Sequence, residues 1–164
     1  IRRIAQSTRI CIRLFFAVPS RHSRETHQIP FVMTPITAQN VAIVCPTKNQ
    51  PDKVLRLLGS ITQLDERPHQ VIIADGGHNL ETILTAFSKR LNLICLYCPE
   101  VGQILQRNHA HKYLNKNIQL VIHLDDDITL EHDSLRKMIM FWNKESQNTA
   151  LPLAGASFNI SDAQ

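Results

Sequence analysis

The sequence predicts an α/β fold, with a mostly parallel sheet and helices on both faces. Three observations predict it. Short β-branched, apolar runs alternate with stretches whose apolar residues recur at helical spacing. The strand-like runs are continuously apolar rather than alternating, as strands covered on both faces read. The connections between them are short, which suits a chain that returns to one edge of a parallel sheet after every helix.

The elements follow in order. "NVAIVCPT", from residue 40, is the first strand, stopped by Pro46. "PDKVLRLLGSITQL" is a helix with Val54, Leu57, Leu58, Ile61 and Leu64 on one stripe, and Pro51 and Asp52 stand where a helix start favours them. "QVIIAD" is the second strand, ending in the turn "GGHN", whose Asn79 can cap a helix bearing Leu80, Ile83, Leu84, Phe87 and Leu91. "LNLICLYC" is the third strand, and "GQILQRNHAHKYLN" is a helix opened by Gly102. "QLVIHL" is the fourth strand. "DSLRKMIMFWNKE" is a helix capped by Asp133 that buries Leu135, Met138, Ile139 and Trp142, and "LPLAGASFNI" reads as one more strand.

Composition bounds what this chain can be. Its 164 residues, 43% hydrophobic and 20% charged, suit one globular domain. No window approaches the roughly 18 uninterrupted apolar residues of a membrane span, and "ICIRLFFAV" is broken by Arg13. The formal charge of +4 is unevenly placed. Residues 1–32 carry six Arg against Glu25, whereas the rest holds 12 Lys and Arg against 13 Asp and Glu. A near-neutral body does not suit a nucleic-acid partner. Residues 1–33 read as a basic tail, disordered or foreign to the fold, because the chain opens on Ile1 and Met33 lies just before the first strand. The domain is expected over 34–164. Cys11, Cys45, Cys95 and Cys98 include one C-x-x-C, but no second pair accompanies it. In a strand Cys95 and Cys98 would face opposite ways, so core thiols in a reducing compartment are expected.

In a parallel sheet, ligands bind beyond the carboxyl ends of the strands. Three polar clusters fall there: Pro46-Thr47-Lys48-Asn49, Asp75-Gly76-Gly77 and Asp125-Asp126-Asp127. Adjacent carboxylates repel, and Asp125 and Asp127, two apart on an ending strand, can point to one side. Mg²⁺ or Mn²⁺ accepts one or two such oxygens and completes its shell with waters and phosphates. The plainer alternative is a solvated acidic turn that complements the dipole of the following helix.

The succession "VAIVCPTKNQPDKVLRLLGSITQLDERPHQVIIADGG", "VGQILQRNHA" and "VIHLDDDITLEHDSL" resembles the family 2 glycosyltransferases over roughly residues 40–160. The resemblance implies a GT-A, Rossmann-like nucleotide-sugar fold. It also implies an inverting transfer from a UDP- or dTDP-linked sugar to the hydroxyl of a glycan or lipid-linked acceptor, in cell-surface polysaccharide biosynthesis. The implied setting is the cytoplasm, including peripheral attachment at the inner membrane face. Carried over by position, Pro46, Thr47 and Asn49 lie in the loop beside the base and ribose. Asp75, followed by Gly76, accepts from the base, and Arg107 is a basic residue near the nucleotide, with Asn108 beside it. Asp125 and Asp126 contact the diphosphate, and Asp125 and Asp127 hold Mn²⁺ or Mg²⁺. Ala74, His78 and Asn79 depart from the family pattern. The catalytic base has no match in this chain, Asp162 is not assigned that part, and the chain is expected to be the donor-binding half of a longer enzyme, as written able to bind the donor.

Other readings remain open. A sugar-phosphate nucleotidyltransferase would want a glycine-rich loop after the first strand, which "CPTKNQPD" lacks. A truncated or decayed fragment, binding nucleotide-sugar weakly or inactive, is a second alternative, favoured by the lack of a second half and the odd N-terminus. A receiver-like phosphoacceptor domain also uses strand-end acids, although "QRN" has no part in it. Among the histidines, His109 and His111 are expected on different helix faces, His123 within a strand, and His132 with Asp133 at a helix start rather than at a metal. Lys48 and Lys53 read as solvated lysines able to approach phosphate. Trp142 and the methionines beside it, Met138 and Met140, read as core.

Overall fold

The structure, a computed structural model, describes residues 12–13, 34–77, 80, 84–99, 102–147 and 153–158. Four parallel strands form the main sheet: β2 (Val41–Thr47), β3 (Gln70–Asp75), β4 (Leu93–Tyr97) and β5 (Leu120–His123), in the order β4-β3-β2-β5. Helices α1 (Pro51–Thr62), α2 (Gln103–His111) and α3 (Ser134–Ser146) surround it. A separate antiparallel pair joins β1 (Ile12–Arg13) to β6 (Gly155–Ala156). The remainder of the basic tail, Asn79 and Ile83 of the second expected helix, and both ends of the last expected strand lie outside the described residues.

The continuous apolar strands are covered on both faces, as their pattern requires. Val41, Ile43 and Cys45, with Val71, Ile73 and Ile122, pack against Val54, Leu57, Leu58 and Ile61 of α1 and Leu135, Ile139 and Trp142 of α3. Val44, Ile72, Ala74 and Val121 turn the other way, toward Ala110 of α2 and Cys98. The C-x-x-C is split as expected, with Cys95 against the first cluster and Cys98 in the second. Each fully buried Ile or Leu stabilises by about 1.5–3 kcal/mol relative to exposure.

Several sequence expectations are corrected. Pro46 does not stop the first strand, which runs on to Thr47 opposite Asp75. Val44 offers its carbonyl to the Leu124 N–H on the β5 side, where the ladder ends at the Val44–His123 pair. Pro46, two residues on, faces past that end, so its missing N–H costs the sheet nothing. Helix α2 is shorter than its expected span because Gln70 intercepts the chain beyond it: Gln70 Nε2 donates to Tyr113 O at 2.9 Å, and its Oε1 accepts from Asn115 N at 3.0 Å. Leu84 is helical, and from 85 to 90 the chain runs in turns closed mainly by i to i−3 hydrogen bonds, where the sequence predicts that the helix continues. Met140 is 61% exposed, whereas Met138 and Trp142 are core, because position 140 falls off the 135-138-139-142 stripe.

Asp133 occupies the N-cap position of α3 but makes no side-chain cap; its carboxylate takes Lys137 Nζ at 2.9 Å and Arg136 Nη2 at 3.7 Å instead. His111 and His123, on facing elements, bring their Nε2 atoms to 3.1 Å, so one ring donates and the other accepts. Burial holds the His111 imidazole below its ordinary pKa. Among the described residues, no helix is long and apolar enough to cross a membrane.

The loop after α1 is fastened to α3 by charge. Arg136 Nε donates to Asp65 Oδ2 at 2.7 Å, and Asp65 N donates to His132 O at 2.9 Å. The Arg136 hydrogen bond, foremost, holds the Asp65 carboxyl below its ordinary value of 3.8. A depressed carboxylate stabilises the fold fully above its unfolded value, and that contribution disappears as pH falls through the lowered one. Arg136→Ala should therefore be slightly less stable than the parent in urea at neutral pH, and the gap should close well below pH 3.8. A gap that persists unchanged in acid would show that the pair does not fasten this loop.

Candidate functional site

With β2 beside both β3 and β5, the strand order reverses across the sheet at β2, and in such sheets ligands bind beyond the carboxyl ends at this point. All three polar clusters meet there. Thr47, the buried last residue of β2, donates from Oγ1 to Asp126 Oδ2 at 2.6 Å. Its carbonyl accepts from Gly76 N at 2.9 Å, linking the first cluster to the second. Asn49 adopts a left-handed backbone with φ of 55°, which Asn tolerates better than most residues. It packs so closely on Gly77 that a Cβ there would overlap the Asn49 side chain. Pro46 is buried in the strand behind this loop.

Asp75 ends β3 and is almost wholly buried, with 4% of its surface exposed. Its Oδ1 accepts from Gly77 N at 2.8 Å, and its carbonyl accepts from Cys98 N at 2.8 Å. The carboxylate is thus fixed in orientation by its own turn. Burial, with the Asp75 charge second, pushes the Cys98 thiol up, and burial followed by Asp126 and Asp125 raises that of Cys45. Thiols raised in this way make poor nucleophiles.

Helix α2 delivers Arg107, whose Nη2 donates to Asp125 Oδ1 at 2.8 Å. Its Nε is buried and has no hydrogen-bond acceptor in this structure. Asn108 follows on the same helix. Asp125 and Asp127 have different partners: Asp125 pairs with Arg107, while Lys53 Nζ lies 3.9 Å from both Asp126 Oδ1 and Asp127 Oδ2. Asp127 is the most open of the three, its side chain 50% exposed.

One participant escaped the sequence reading. Gln106 is buried, and its Nε2 donates to Thr47 O at 2.7 Å and Ala74 O at 2.8 Å, binding α2 to the ends of β2 and β3. The signal was present: Gln106 and Ala110, four apart, form the inward stripe of α2, while Ile104 is 70% exposed. Lys53, expected as a solvated lysine able to approach phosphate, stands beside the acidic turn, a nearness that has no trace in sequence spacing.

The donor set suits a hard divalent cation of a particular kind. Among the described residues, no group of three or more His, Cys, Asp or Glu side chains is arranged to hold a metal. One or two carboxylates remain, enough for Mg²⁺ or Mn²⁺ only when phosphate and water complete the shell.

A parallel sheet in this order, with strand-end acids gathered at the reversal point, is the GT-A arrangement. The family model for glycosyl transferase family 2 matches residues 42–159, and the chain belongs to that family. Solved structures share the fold. S. aureus TarS superposes with a TM-score of 0.56 at 20% identity, covering 64% of this chain and 20% of that one. TarS 1–349 in complex with UDP gives 0.57 at 21% identity, over 64% and 32%. The complex with UDP-GlcNAc gives 0.53 at 21%, over 64% and 31%. The chain therefore spans between a fifth and a third of these TarS chains. No curated protein matches it.

Gln106→Leu removes two hydrogen bonds at a buried edge, each worth about 0.5–1.5 kcal/mol net, while Thr47 O keeps the Gly76 N–H. The expected result is a lower urea midpoint with an unchanged slope; an unaltered midpoint would show that the Gln106 bonds do not hold the edge together.

Proposed function

We propose that this chain is the donor-binding part of an inverting glycosyltransferase, which moves a sugar from a UDP- or dTDP-linked donor to an acceptor hydroxyl on a glycan or lipid-linked molecule. The observation that carries the proposal is the meeting of Asp75, Thr47, Arg107 and Asp125–Asp127 at one sheet edge, at the reversal of strand order. Membership of glycosyl transferase family 2 supports it, as do the UDP and UDP-GlcNAc complexes of TarS.

Each residue has a physical part in this reading. Asp75, aimed by the Gly77 N–H, accepts the ring N–H of uracil or thymine. Thr47 and Asn49 line the base and ribose with Pro46 supporting them from the strand behind, and Gly76 leaves room for the Gln106 amide. Arg107 sets a fixed positive charge near the diphosphate, and its Nε is a donor in need of an anion. Asp127, with Asp125 beside it, holds Mn²⁺ or Mg²⁺, and Asp126 keeps the turn against Thr47. When bound, the metal neutralises charge on the leaving diphosphate. Direct displacement also needs a base at the acceptor hydroxyl, and no described residue is assigned to it. The reaction is placed on the cytoplasmic side, where a peripheral enzyme meets lipid-linked acceptors.

Titration with UDP, dTDP, CDP and ADP, with and without Mn²⁺, tests this reading. UDP and dTDP should bind tighter than CDP and ADP, whose rings lack the N–H. Asp75→Ala should erase a preference of about tenfold, the weight of one hydrogen bond to a charged group. Equal affinity for UDP and CDP in the parent would remove the Asp75 assignment. Asp127→Ala should abolish the Mn²⁺ dependence of UDP binding; if that dependence survives, Asp127 is not the metal ligand.

A further inference from the structure

The acidic turn already has cations of its own. Arg107 is bound to Asp125 by a true hydrogen bond of 2.8 Å. Lys53, the third residue of α1, is different: its Nζ stands 3.9 Å from Asp126 Oδ1 and 3.9 Å from Asp127 Oδ2, at the limit of an ion pair and beyond hydrogen-bond reach. Three carboxylates face two cations, so the turn keeps one net negative charge. Lys53 is 35% exposed and its ammonium rides on a flexible four-carbon stem, so it can leave at little cost.

We infer that Lys53 is a built-in counter-ion that competes with the divalent metal at Asp127, and thereby makes metal binding depend on the nucleotide diphosphate. This rests on the reading of the turn as a metal and diphosphate site. A divalent ion bound by Asp127 sits about 2.1 Å from its oxygen. An ammonium less than two such lengths away occupies nearly the same volume and repels the ion in proportion to both charges. Without nucleotide, the displaced ammonium loses two carboxylates and gains only water. With a nucleoside diphosphate present, it finds phosphate oxygens within reach of α1. Metal and nucleotide then favour each other's binding, and the coupling must be the same in both directions. Arg107 contacts Asp125 alone among the three acids, which leaves the Asp127 carboxylate to Lys53.

Mn²⁺ binding to the full chain, followed by the loss of the free-ion paramagnetic signal, tests this with and without UDP. In the parent, Mn²⁺ alone should bind weakly and UDP should tighten it. Lys53→Met, which keeps the stem and removes the charge, should bind Mn²⁺ alone roughly tenfold tighter and gain less from UDP, since a nearby like charge has been removed. Lys53→Arg should resemble the parent, and Asp127→Ala should lose Mn²⁺ binding in either background. If UDP tightens Mn²⁺ in the parent while Lys53→Met is unchanged or weaker, the competition is overturned and the metal site stands. If neither the parent nor Lys53→Met binds Mn²⁺ with or without UDP, the metal reading falls and the competition falls with it. Matching urea midpoints would show that the variants are equally folded.

Discussion

The carbonyl of Thr47 accepts N–H donors from Gly76 and Gln106, while its hydroxyl donates to Asp126. One residue at the end of β2 therefore touches the turn after β3, helix α2 and the turn after β5. These segments are distant in sequence, and the order β4-β3-β2-β5 alone makes them neighbours. Because Thr47 is buried, its bonds face little competition from water. The geometry of the edge follows from this. Asp126 is aimed at Thr47, which constrains the flanking Asp125 and Asp127, and Gln106 sets the height of α2, which decides where Arg107 meets Asp125.

The crowding of three carboxylates is tolerable for reasons visible in their surroundings. A hydroxyl, a guanidinium and an ammonium each take a share of the charge. Asp127 and Lys53 remain partly in water, where screening weakens both repulsion and attraction. What is left of the negative field still reaches inward: after burial itself, Asp126 and Asp125 are the causes that raise the Cys45 thiol in the core of β2. An edge that stays negative after its own cations are counted is suited to a further cation, and a cation bound there attracts an anion.

The sequence made the architecture legible where the physics is periodic. Continuous apolar strands with residues such as Ile43, Ile72 and Ile122 required cover on both faces, and α1 and α3 declared their buried stripes through residues such as Leu57 and Leu135. Polar clusters at strand ends were enough to place Thr47, Asp75 and Asp126 at one edge. Where a side chain had a choice of partners, spacing was silent. Asp133 stands where a cap belongs but binds Lys137, and His111 meets His123 across two elements. Helix α2 inverts the usual rule, with Gln106 inward and Ile104 outward, because the inner position faces the carbonyls of Thr47 and Ala74 rather than apolar surface. Only the folded neighbourhood reveals such an acceptor pair.

That inversion separates two kinds of residue in the site. Thr47, Gln106 and Asp75 are buried, bonded at 2.6 to 2.9 Å and held largely by neutral N–H or O–H donors. Such bonds are little affected by salt and define a fixed frame. Lys53 and Asp127 are partly exposed, and the 3.9 Å between their charged atoms leaves no bond to break. A binding edge for a mobile anion and its metal needs both kinds: a frame that does not relax when charge arrives, and counter-charges loose enough to rearrange around it. If the frame were built from the ion pairs instead, each ligand that displaced one would also loosen the sheet edge that recognises it.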